Sequence, residues 1–222
     1  MTTVYWQFKD QGTKDLGLLF YEPELLLPEI VKIRNSAYIK CPAFLDYFKN
    51  TYLIRSPIDI KINYENGYLS ISPQNQKFFD NYFKHRGHQI SESDPFLMSM
   101  HLYYLFIADK DCIVEVLPAS FHNISSKIRL IPATFNINKW FRPISFAFEF
   151  INESEPLIIK RGDPLYYVKF RTPDDKKINM KEKNFDESTL NAVHACVNLK
   201  NALPNRPLNF LYKLTERIKI KL

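Results

Sequence analysis

The sequence predicts a mainly β protein: an antiparallel β-sandwich or jelly-roll-like body with short helices and a C-terminal helical extension. Three observations lead to this prediction. The 222 residues are 45% hydrophobic and 15% aromatic, apolar and polar residues alternate with a period of two in several segments, and fourteen prolines outnumber five glycines. Such a chain has enough apolar surface to bury a core, which excludes disordered and fibrous classes. We place the β-rich body at residues 1–172 and the basic helical extension at residues 173–222.

The N-terminal quarter predicts two strands followed by short helices. Residues 4–8 and 16–21 are rich in aromatic and aliphatic side chains, which favours strands. Residues 24–35 have apolar positions near helical spacing, but Pro28 limits them to a short or broken helix. Residues 41–50 begin with a proline and predict one or two further helical turns.

The middle of the chain changes to a period of two, which is typical of strands with one buried face. Residues 51–56 and 58–63 both alternate in this way, and Asn66-Gly67 favours the tight turn of a hairpin. Further strands are predicted at residues 97–107, 112–117 and 128–131.

The clearest alternation lies between residues 141 and 170. Apolar residues alternate with small or polar ones through the strand; they are Ile144, Phe146, Phe148 and Phe150. A turn at residues 152–156 and a short strand at residues 157–159 lead to a return strand at residues 165–170. After Pro173, apolar residues recur at helical spacing around Val193, and a second helix carries Leu211 and Leu214.

Positive charge is concentrated at the C-terminus. Residues 160–222 contain 14 Lys and Arg against 7 Asp and Glu, whereas the other residues contain 16 against 17. A basic C-terminus can attract nucleic acid or an acidic protein surface. Because acidic residues are interspersed among the lysines, we favour the alternative of a solvated helix face.

The cysteines indicate a reducing compartment. Cys41, Cys112 and Cys196 are odd in number and far apart in sequence, so they form no disulfide framework. No stretch has the length of a membrane span, and residues 1–20 lack the order of charges and apolar residues that a signal peptide has. We therefore expect a cytoplasmic protein that does not associate with a membrane.

Trp140, Arg142 and Asp163 are the candidate ligand-binding residues. Trp140 and Arg142 flank Phe141, and a planar guanidinium beside aromatic rings suits stacking on a base or another aromatic ligand. Asp163 is a candidate acid. The alternative, which we favour for the aromatic rings, is that they belong to the core and that Arg142 pairs with a carboxylate or a neighbouring subunit.

Residues 77–94 hold the other polar clusters. His85 and His88, with Glu92 and Asp94 nearby, could hold a divalent ion if a turn brings them together, but an exposed loop is the commoner meaning of such a pair. We predict no metal and no cofactor. Interleaved basic and aromatic residues at 77–86 suit single-stranded nucleic acid, although their spacing favours an amphipathic helix packed on the sheet.

Several motifs, taken in order, resemble uncharacterised proteins encoded by marine tailed phages, including cyanophages. More distantly, they resemble a bacterial and phage domain family of unknown function. The resemblance covers most of residues 1–172, and neither group supplies an activity. The motifs are Lys40-Cys41-Pro42-Ala43-Phe44, Lys49-Asn50-Thr51-Tyr52, Ser56-Pro57-Ile58-Asp59, Trp140-Phe141-Arg142-Pro143 and Gly162-Asp163-Pro164-Leu165.

A second similarity is to the dUTPase and dCTP deaminase fold. It rests on Phe141-Arg142-Pro143, the turn at Asn152, and Gly162-Asp163-Pro164-Leu165 before a strand. The position that should carry that family's aspartate holds Asn138, and Tyr167 replaces its glutamine. A neutral amide cannot act as the base that activates water.

These observations lead to one functional hypothesis and two alternatives. The first is a non-enzymatic phage protein, in the virion or the host cytoplasm, that assembles with itself or with another protein. The second is a nucleotide-binding or nucleotide-hydrolysing enzyme on a dUTPase-like scaffold. The third is a nucleic-acid binder that uses the basic C-terminus.

Overall fold

A computed structural model describes residues 1–8, 20–34, 38–65, 68–72, 83–85, 97–152, 155–216, 218 and 220. Within these residues the protein is mainly β, with several antiparallel sheets, short helices and two helices near the C-terminus. This confirms the predicted fold class, a β-sandwich-like body with a helical C-terminal part.

The strands and helices are numbered in chain order. The strands are β1 (Thr3–Phe8), β2 (Glu24–Leu25), β3 (Thr51–Arg55), β4 (Ile60–Glu65), β5 (Tyr68–Ser72), β6 (Phe83–His85), β7 (Leu97–His101), β8 (Tyr104–Ala108), β9 (Ile113–Pro118), β10 (Ile128–Leu130), β11 (Ala133–Asn136), β12 (Ser145–Phe150), β13 (Leu157–Ile159), β14 (Pro164–Arg171) and β15 (Asn179–Glu182). The α-helices are α1 (Leu26–Arg34), α2 (Pro42–Tyr47), α3 (Glu187–Ala202) and α4 (Leu208–Thr215), with 3₁₀ turns at Tyr38–Lys40 and Asn123–Ser126.

Four sheets are formed by the described strands. Their orders are β15-β1-β8, β10-β12-β7-β6, β11-β9-β14-β3-β2 and β13-β4-β5. The β1–β15 pair is parallel and the other pairs are antiparallel. β9 and β12 bury every second residue, as their sequence period of two predicts, whereas β8 is buried along its whole length.

The single strand predicted at residues 97–107 is wrong, because the chain breaks there into β7 and β8. Leu102 and Tyr103 separate the two strands, and Tyr103 has φ of 58°. An extended strand cannot continue through a positive φ, so the chain leaves the β12 sheet and joins the β1 sheet. Because the residues on both sides of the break are mostly apolar, the sequence pattern does not show where one strand ends and the next begins.

Several predicted elements lie wholly or partly outside the described residues. Most of the second strand, at residues 16–21, lies there, and so does the turn at Asn66-Gly67. The strands flanking that turn pair as an antiparallel hairpin would, with Glu65 opposite Tyr68. The amphipathic helix over residues 77–86 also falls largely outside, and its described part, β6, is a strand instead.

A loop at residues 137–144 covers the edge of β8 that pairs with no strand in the described part of the chain. Ile144 N donates to Tyr104 O at 3.0 Å, and Asn138 Nδ2 donates to Ala108 O at 3.0 Å. Backbone groups of a buried strand need partners, and the loop supplies them where a neighbouring strand would otherwise lie. The loop is therefore fixed to the core, and it carries Trp140 and Arg142.

Residues after 172 pack into the same core as the body. The buried core cluster that includes β1, β8, β12 and β14 also contains buried side chains from the C-terminal part, namely Ile178, Phe185, Ala192, Val193, Cys196 and Leu211. β15 adds a strand beside β1. From α4, the Tyr212 hydroxyl accepts a hydrogen bond from Asn136 N at 2.8 Å, and Thr215 Oγ1 donates to Lys139 O at 2.9 Å.

Asn50 joins the body to the segment that precedes β15. It has φ of 54°, a left-handed conformation that Asn tolerates better than most residues. Its side-chain Nδ2 donates to Lys176 O at 2.9 Å, and Ile178 N donates to its Oδ1 at 3.0 Å. Since Asn50 is 6% exposed, these two bonds replace water contacts that the groups have in the unfolded chain.

We expect Asn50→Ala to lower the free energy of unfolding by about 3 kcal/mol, because it leaves the Ile178 N–H buried without its acceptor and places alanine at positive φ. Asn50→Gly loses the same two hydrogen bonds, but glycine adopts a positive φ without strain. Its loss in the free energy of unfolding should therefore be about 1 kcal/mol smaller. Denaturant unfolding measures both, with Asn205→Ala, at an exposed loop position, as the control. Equal losses in the free energy of unfolding for the two variants would show that the positive φ of residue 50 does not contribute to the difference in stability.

Candidate functional site

Trp140 and Arg142 lie together in the loop that covers β8. A turn at residues 136–140 positions Trp140, whose backbone N donates to Asn136 O at 2.9 Å. Trp140 is 1% exposed, and its indole Nε1 is buried without a hydrogen-bond partner in the described residues. Its ring lies 6.5 Å from the ring of Tyr212 on α4. The Arg142 Cζ lies 6.0 Å from the ring centroid of Phe135.

These two residues line a pair of adjoining chambers, here named the twin cavity, each of about 290 Å³. The first chamber is walled mainly by apolar side chains from strands, from the loops between them and from α4; they include Leu97, Val116, Ile131, Phe135, Trp140 and Leu208. The second lies between the loop and α3 and is lined by Tyr103, Pro143, Val193, His194, Val197 and Asn201. Four residues line both chambers: His101, Arg142, Ser145 and Lys200.

The wall shared by the two chambers is polar and basic. Ser145 Oγ and His101 Nδ1 are 3.0 Å apart, which joins the end of β7 to the start of β12. Arg142 and Lys200 are half-buried, so water screens their charges less than those of exposed lysines. No Asp or Glu is present among the described residues that line either chamber. The described side chains at the wall shared by the two chambers are therefore basic.

Asp163, the third predicted ligand-binding residue, lies in a different cavity. Its carboxylate Oδ2 accepts a hydrogen bond from Lys160 N at 2.8 Å, and its backbone O accepts one from Ser56 N at 2.8 Å. Gly162 in the same turn has φ of 83°, and a Cβ there would meet the Tyr21 hydroxyl at 3.3 Å. Asp163 thus closes a turn, and the structure does not bring it to Trp140 and Arg142.

The cavity beside Asp163 has a volume of about 640 Å³ and is also lined by Ile33, His122 and Ile158. Next to two of its lining residues, the Tyr167 hydroxyl accepts a hydrogen bond from Phe121 N at 3.3 Å and lies 2.8 Å from His122 Nδ1. Burial raises the pKa of Tyr167 to about 12, so its hydroxyl stays protonated at neutral pH. This hydroxyl ties β14 to the chain after β9.

Six exposed apolar side chains lie in one short part of the chain. Of the eleven large hydrophobic residues that are exposed in the described structure, six fall between residues 25 and 47. They are Leu25, Val31, Ile33, Tyr38, Leu45 and Tyr47, here named the α1–α2 face. Scattered apolar residues are ordinary on a protein surface, whereas a concentration of this kind is a feature that interaction surfaces share.

Aromatic rings beneath the α1–α2 face hold its helices in place. The Phe121 ring lies 5.8 Å from Tyr38, 5.8 Å from Phe44 and 5.5 Å from Phe48. A small buried core under these rings contains Leu26 and Ile30 of α1, together with Leu53, Ala119 and Tyr167. The face is therefore supported by fixed side chains.

An ion-pair network fixes the start of α1 to the body. Arg55 NH2 lies 3.0 Å from Glu24 Oε2 and 3.1 Å from Glu29 Oε1, and Arg55 NH1 donates to Gly162 O at 2.9 Å. The Arg55 side chain is only 16% exposed, which strengthens these contacts relative to surface pairs. The sequence analysis did not identify Arg55.

The histidine pair predicted as a weak metal site is described only in part. His85 lies in β6, opposite Met98 of β7, and His88 is outside the described residues. Within the described part of the chain, no group of three His, Cys, Asp or Glu side chains is placed to hold a metal ion.

The two positions that differ from the dUTPase pattern have structural contacts here. Asn138 donates its side-chain amide to Ala108 O, and its backbone N donates to Asn136 Oδ1 at 2.9 Å. Tyr167 makes the contacts with Phe121 and His122 given above. Both side chains hold neighbouring segments together.

The three cysteines differ in exposure. Burial raises the pKa of Cys112 to about 12, and the nearby Asp111 and Asp109 add to this shift. Burial also raises the pKa of Cys196. Cys41, which precedes α2, is exposed. Because the thiolate is the reactive form, the two buried thiols are poor nucleophiles at neutral pH.

Comparison with known proteins finds no relative: no family model, no curated protein and no solved structure matches this chain. None of the helices in the described residues combines the length and apolar character that crossing a membrane requires.

The site residues that sequence reasoning missed are His101, Ser145 and Lys200. They come from β7, β12 and α3, and no local motif links them to the Trp140–Arg142 pair. Of these three residues, only Ser145 could have been linked to the site from the sequence, because it closely follows Trp140 and Arg142 in the chain.

We expect iodoacetamide to modify one thiol per folded chain at mildly alkaline pH, namely Cys41, and all three thiols in denaturant. Peptide mass mapping identifies the modified residues. The Cys41→Ser variant should then take up no label while folded. Labelling of Cys112 in the folded wild type at the rate of Cys41 would contradict the burial described here.

Proposed function

We propose that this protein is a non-enzymatic phage protein, a structural or protein-interaction component, that assembles with copies of itself through the α1–α2 face. The observation that carries the proposal is the concentration of exposed apolar side chains on this face. Burying such side chains against a partner removes them from water, which is the main source of association free energy.

The shape and support of the α1–α2 face favour a specific interface. Its helices are held by the Phe121 ring cluster and by the Arg55 network, so binding orders few side chains. Tyr47 is 54% exposed, yet Lys169 Nζ lies 4.2 Å from its ring centroid and holds it in place. Fixed aromatic side chains lose little conformational entropy on binding and are enriched at interfaces.

Charges around the face favour a second copy of this chain as its occupant. A two-fold interface places the same patch on itself, so the patch must be complementary to its own surface. Lys32 and Lys40 supply positive charge, and Glu22 and Asp46 supply negative charge, all at exposed positions. Apolar residues with charges of both signs at the rim can pair in this way without repulsion.

The buried reactive groups support a binding role over a catalytic one. The pKa values of Cys112 and Tyr167 are raised by burial, which keeps the thiol and the hydroxyl protonated. The Asp163 carboxylate closes a turn. These groups contribute contacts to the fold, and none is arranged as an activated nucleophile. The resemblance of the sequence motifs to proteins of marine tailed phages supports the virion or the host cytoplasm as the proposed setting.

We expect the wild-type chain to form a dimer in sedimentation velocity at micromolar concentration. The double variant Val31→Glu/Leu45→Glu places one charge on each helix of the face, so it should raise the dimer dissociation constant at least about tenfold. Burying an unpaired carboxylate in the interface is the physical reason.

The matched control is Ile151→Glu/Leu214→Glu, which changes two apolar residues outside the face that are somewhat more exposed than Val31 and Leu45. It should leave the dissociation constant unchanged. A wild-type chain that stays monomeric at high micromolar concentration would overturn the self-assembly, and a dimer that the control variant disrupts instead would place the interface elsewhere.

A further inference from the structure

The cavity beside Asp163, here named the Ile158 groove, continues from the α1–α2 face. Ile33 belongs to that face and also lines the groove. The Phe121 ring lines the groove as well, and it lies 5.8 Å from the ring of Tyr38, another residue of the face. A partner that binds the α1–α2 face therefore reaches the groove.

The groove is apolar inside. Ile33 and Ile158 both line it, yet they are 42% and 49% exposed. Ile159, which is buried, and Ile124, which is half-buried, complete this apolar lining. The volume of about 640 Å³ lies in the range of cavities that enclose a bound group. Apolar side chains that a partner covers are removed from water, which favours association.

Two lysines give the groove a positive rim. Lys127 and Lys160 are exposed lining residues, and neither ammonium group forms an ion pair with a described residue. Asp163 is the acidic residue among the described lining, and its carboxylate already accepts the hydrogen bond from Lys160 N. Charges on the two sides of an interface are arranged to be complementary. The groove therefore suits an apolar group that carries a carboxylate.

The exposed side of α2 has this composition. Phe44 and Phe48 face the body and are half-buried. Because successive residues of a helix are rotated by about 100°, Asp46 points away from the body, with Leu45 on one side of it and Tyr47 on the other. All three are exposed, and the Asp46 carboxylate forms no ion pair with a described residue. These three residues are here named the α2 ridge.

The α2 ridge and the Ile158 groove lie beside each other on one copy of the chain. The Phe121 ring lines the groove, and it lies 5.8 Å from Phe44 and 5.5 Å from Phe48, which support the ridge. In a two-fold pair each copy presents the same surface to the other. An axis that passes between the ridge and the groove therefore places each ridge against the groove of the other copy, so the contact is made twice.

From this arrangement we infer that the α1–α2 face binds a second copy of this chain by placing the α2 ridge of each copy in the Ile158 groove of the other. Leu45 and Tyr47 contact the apolar lining, and Asp46 between them pairs with Lys127 and Lys160. The inference rests on the proposed self-assembly through the α1–α2 face. It adds the groove, which that proposal does not include, and the ion pairs that set the register of the two copies.

Ile158→Gln tests the apolar part of the contact, because Ile158 lies outside the six residues of the α1–α2 face. We expect this variant to raise the dimer dissociation constant at least about fivefold in sedimentation velocity, since an amide without a partner is buried in each of the two contacts. The matched control is Leu214→Gln, which changes an apolar residue of similar exposure, 44%, on α4. The control should leave the dissociation constant unchanged.

Reversal of charge tests the pairing of the ridge with the rim. Asp46→Lys and the double variant Lys127→Glu/Lys160→Glu each bring like charges together, so each should raise the dissociation constant about tenfold at low salt. A variant with all three substitutions restores opposite charges and should return to within about threefold of the wild type. The control for the double variant is Lys110→Glu/Lys213→Glu, which makes the same change in net charge at exposed positions outside the groove.

The outcomes separate this inference from the proposed assembly. A dimer that Val31→Glu/Leu45→Glu weakens, but that Ile158→Gln and both charge reversals leave unchanged, would overturn the groove contact and leave assembly through the α1–α2 face standing. No recovery in the triple variant would overturn the pairing of Asp46 with the lysines. A monomeric wild-type chain would overturn both proposals. Circular dichroism shows whether each variant is folded, and because the ridge and the groove are changed in separate variants, misfolding of one leaves the other as the test.

Discussion

Hydrogen bonds between β8 and the 137–144 loop are the interaction on which the rest of the structure depends. β8 is buried along its length, and among the described strands it pairs with β1 alone. Without the loop, the other edge would leave polar backbone groups in an apolar core, at a cost of about 1–3 kcal/mol for each unsatisfied group. Ile144 N and Asn138 Nδ2 donate to Tyr104 O and Ala108 O on that edge, and these bonds fix both ends of the loop to β8.

The same loop connects the body to the C-terminal helices. Its β8 side belongs to the body, and its outer side contacts α4 through Thr215 and Lys139. Phe185, Val193 and Cys196 then bury their side chains in the core that contains β8. The second chamber of the twin cavity lies at this junction, between the loop and α3. The basic helical segment is thereby part of the fold's central packing.

The sequence predicted much of the architecture and little of the site. Alternation between residues 144 and 150 correctly predicted β12, because a sheet with one buried face requires that period. The break at Tyr103 had no such signal, since its positive φ is a consequence of packing and the residues around it are uniformly apolar. Trp140 and Arg142 are close in sequence and were found as a pair. Lys200 is brought to them only by the tertiary packing of α3, which no local pattern encodes.

The α1–α2 face and the twin cavity differ in chemistry, and they lie over different hydrophobic clusters. The α1–α2 face rests on its own small aromatic core, whereas the twin cavity is built into the main one. Native-state hydrogen exchange tests the central claim most directly. The amides of Ile137 and Ile144 should exchange only through global unfolding, with the same free energy as amides in β14 and α3. Fast exchange of Ile144 while β14 stays protected would contradict the claim that the loop is part of the core.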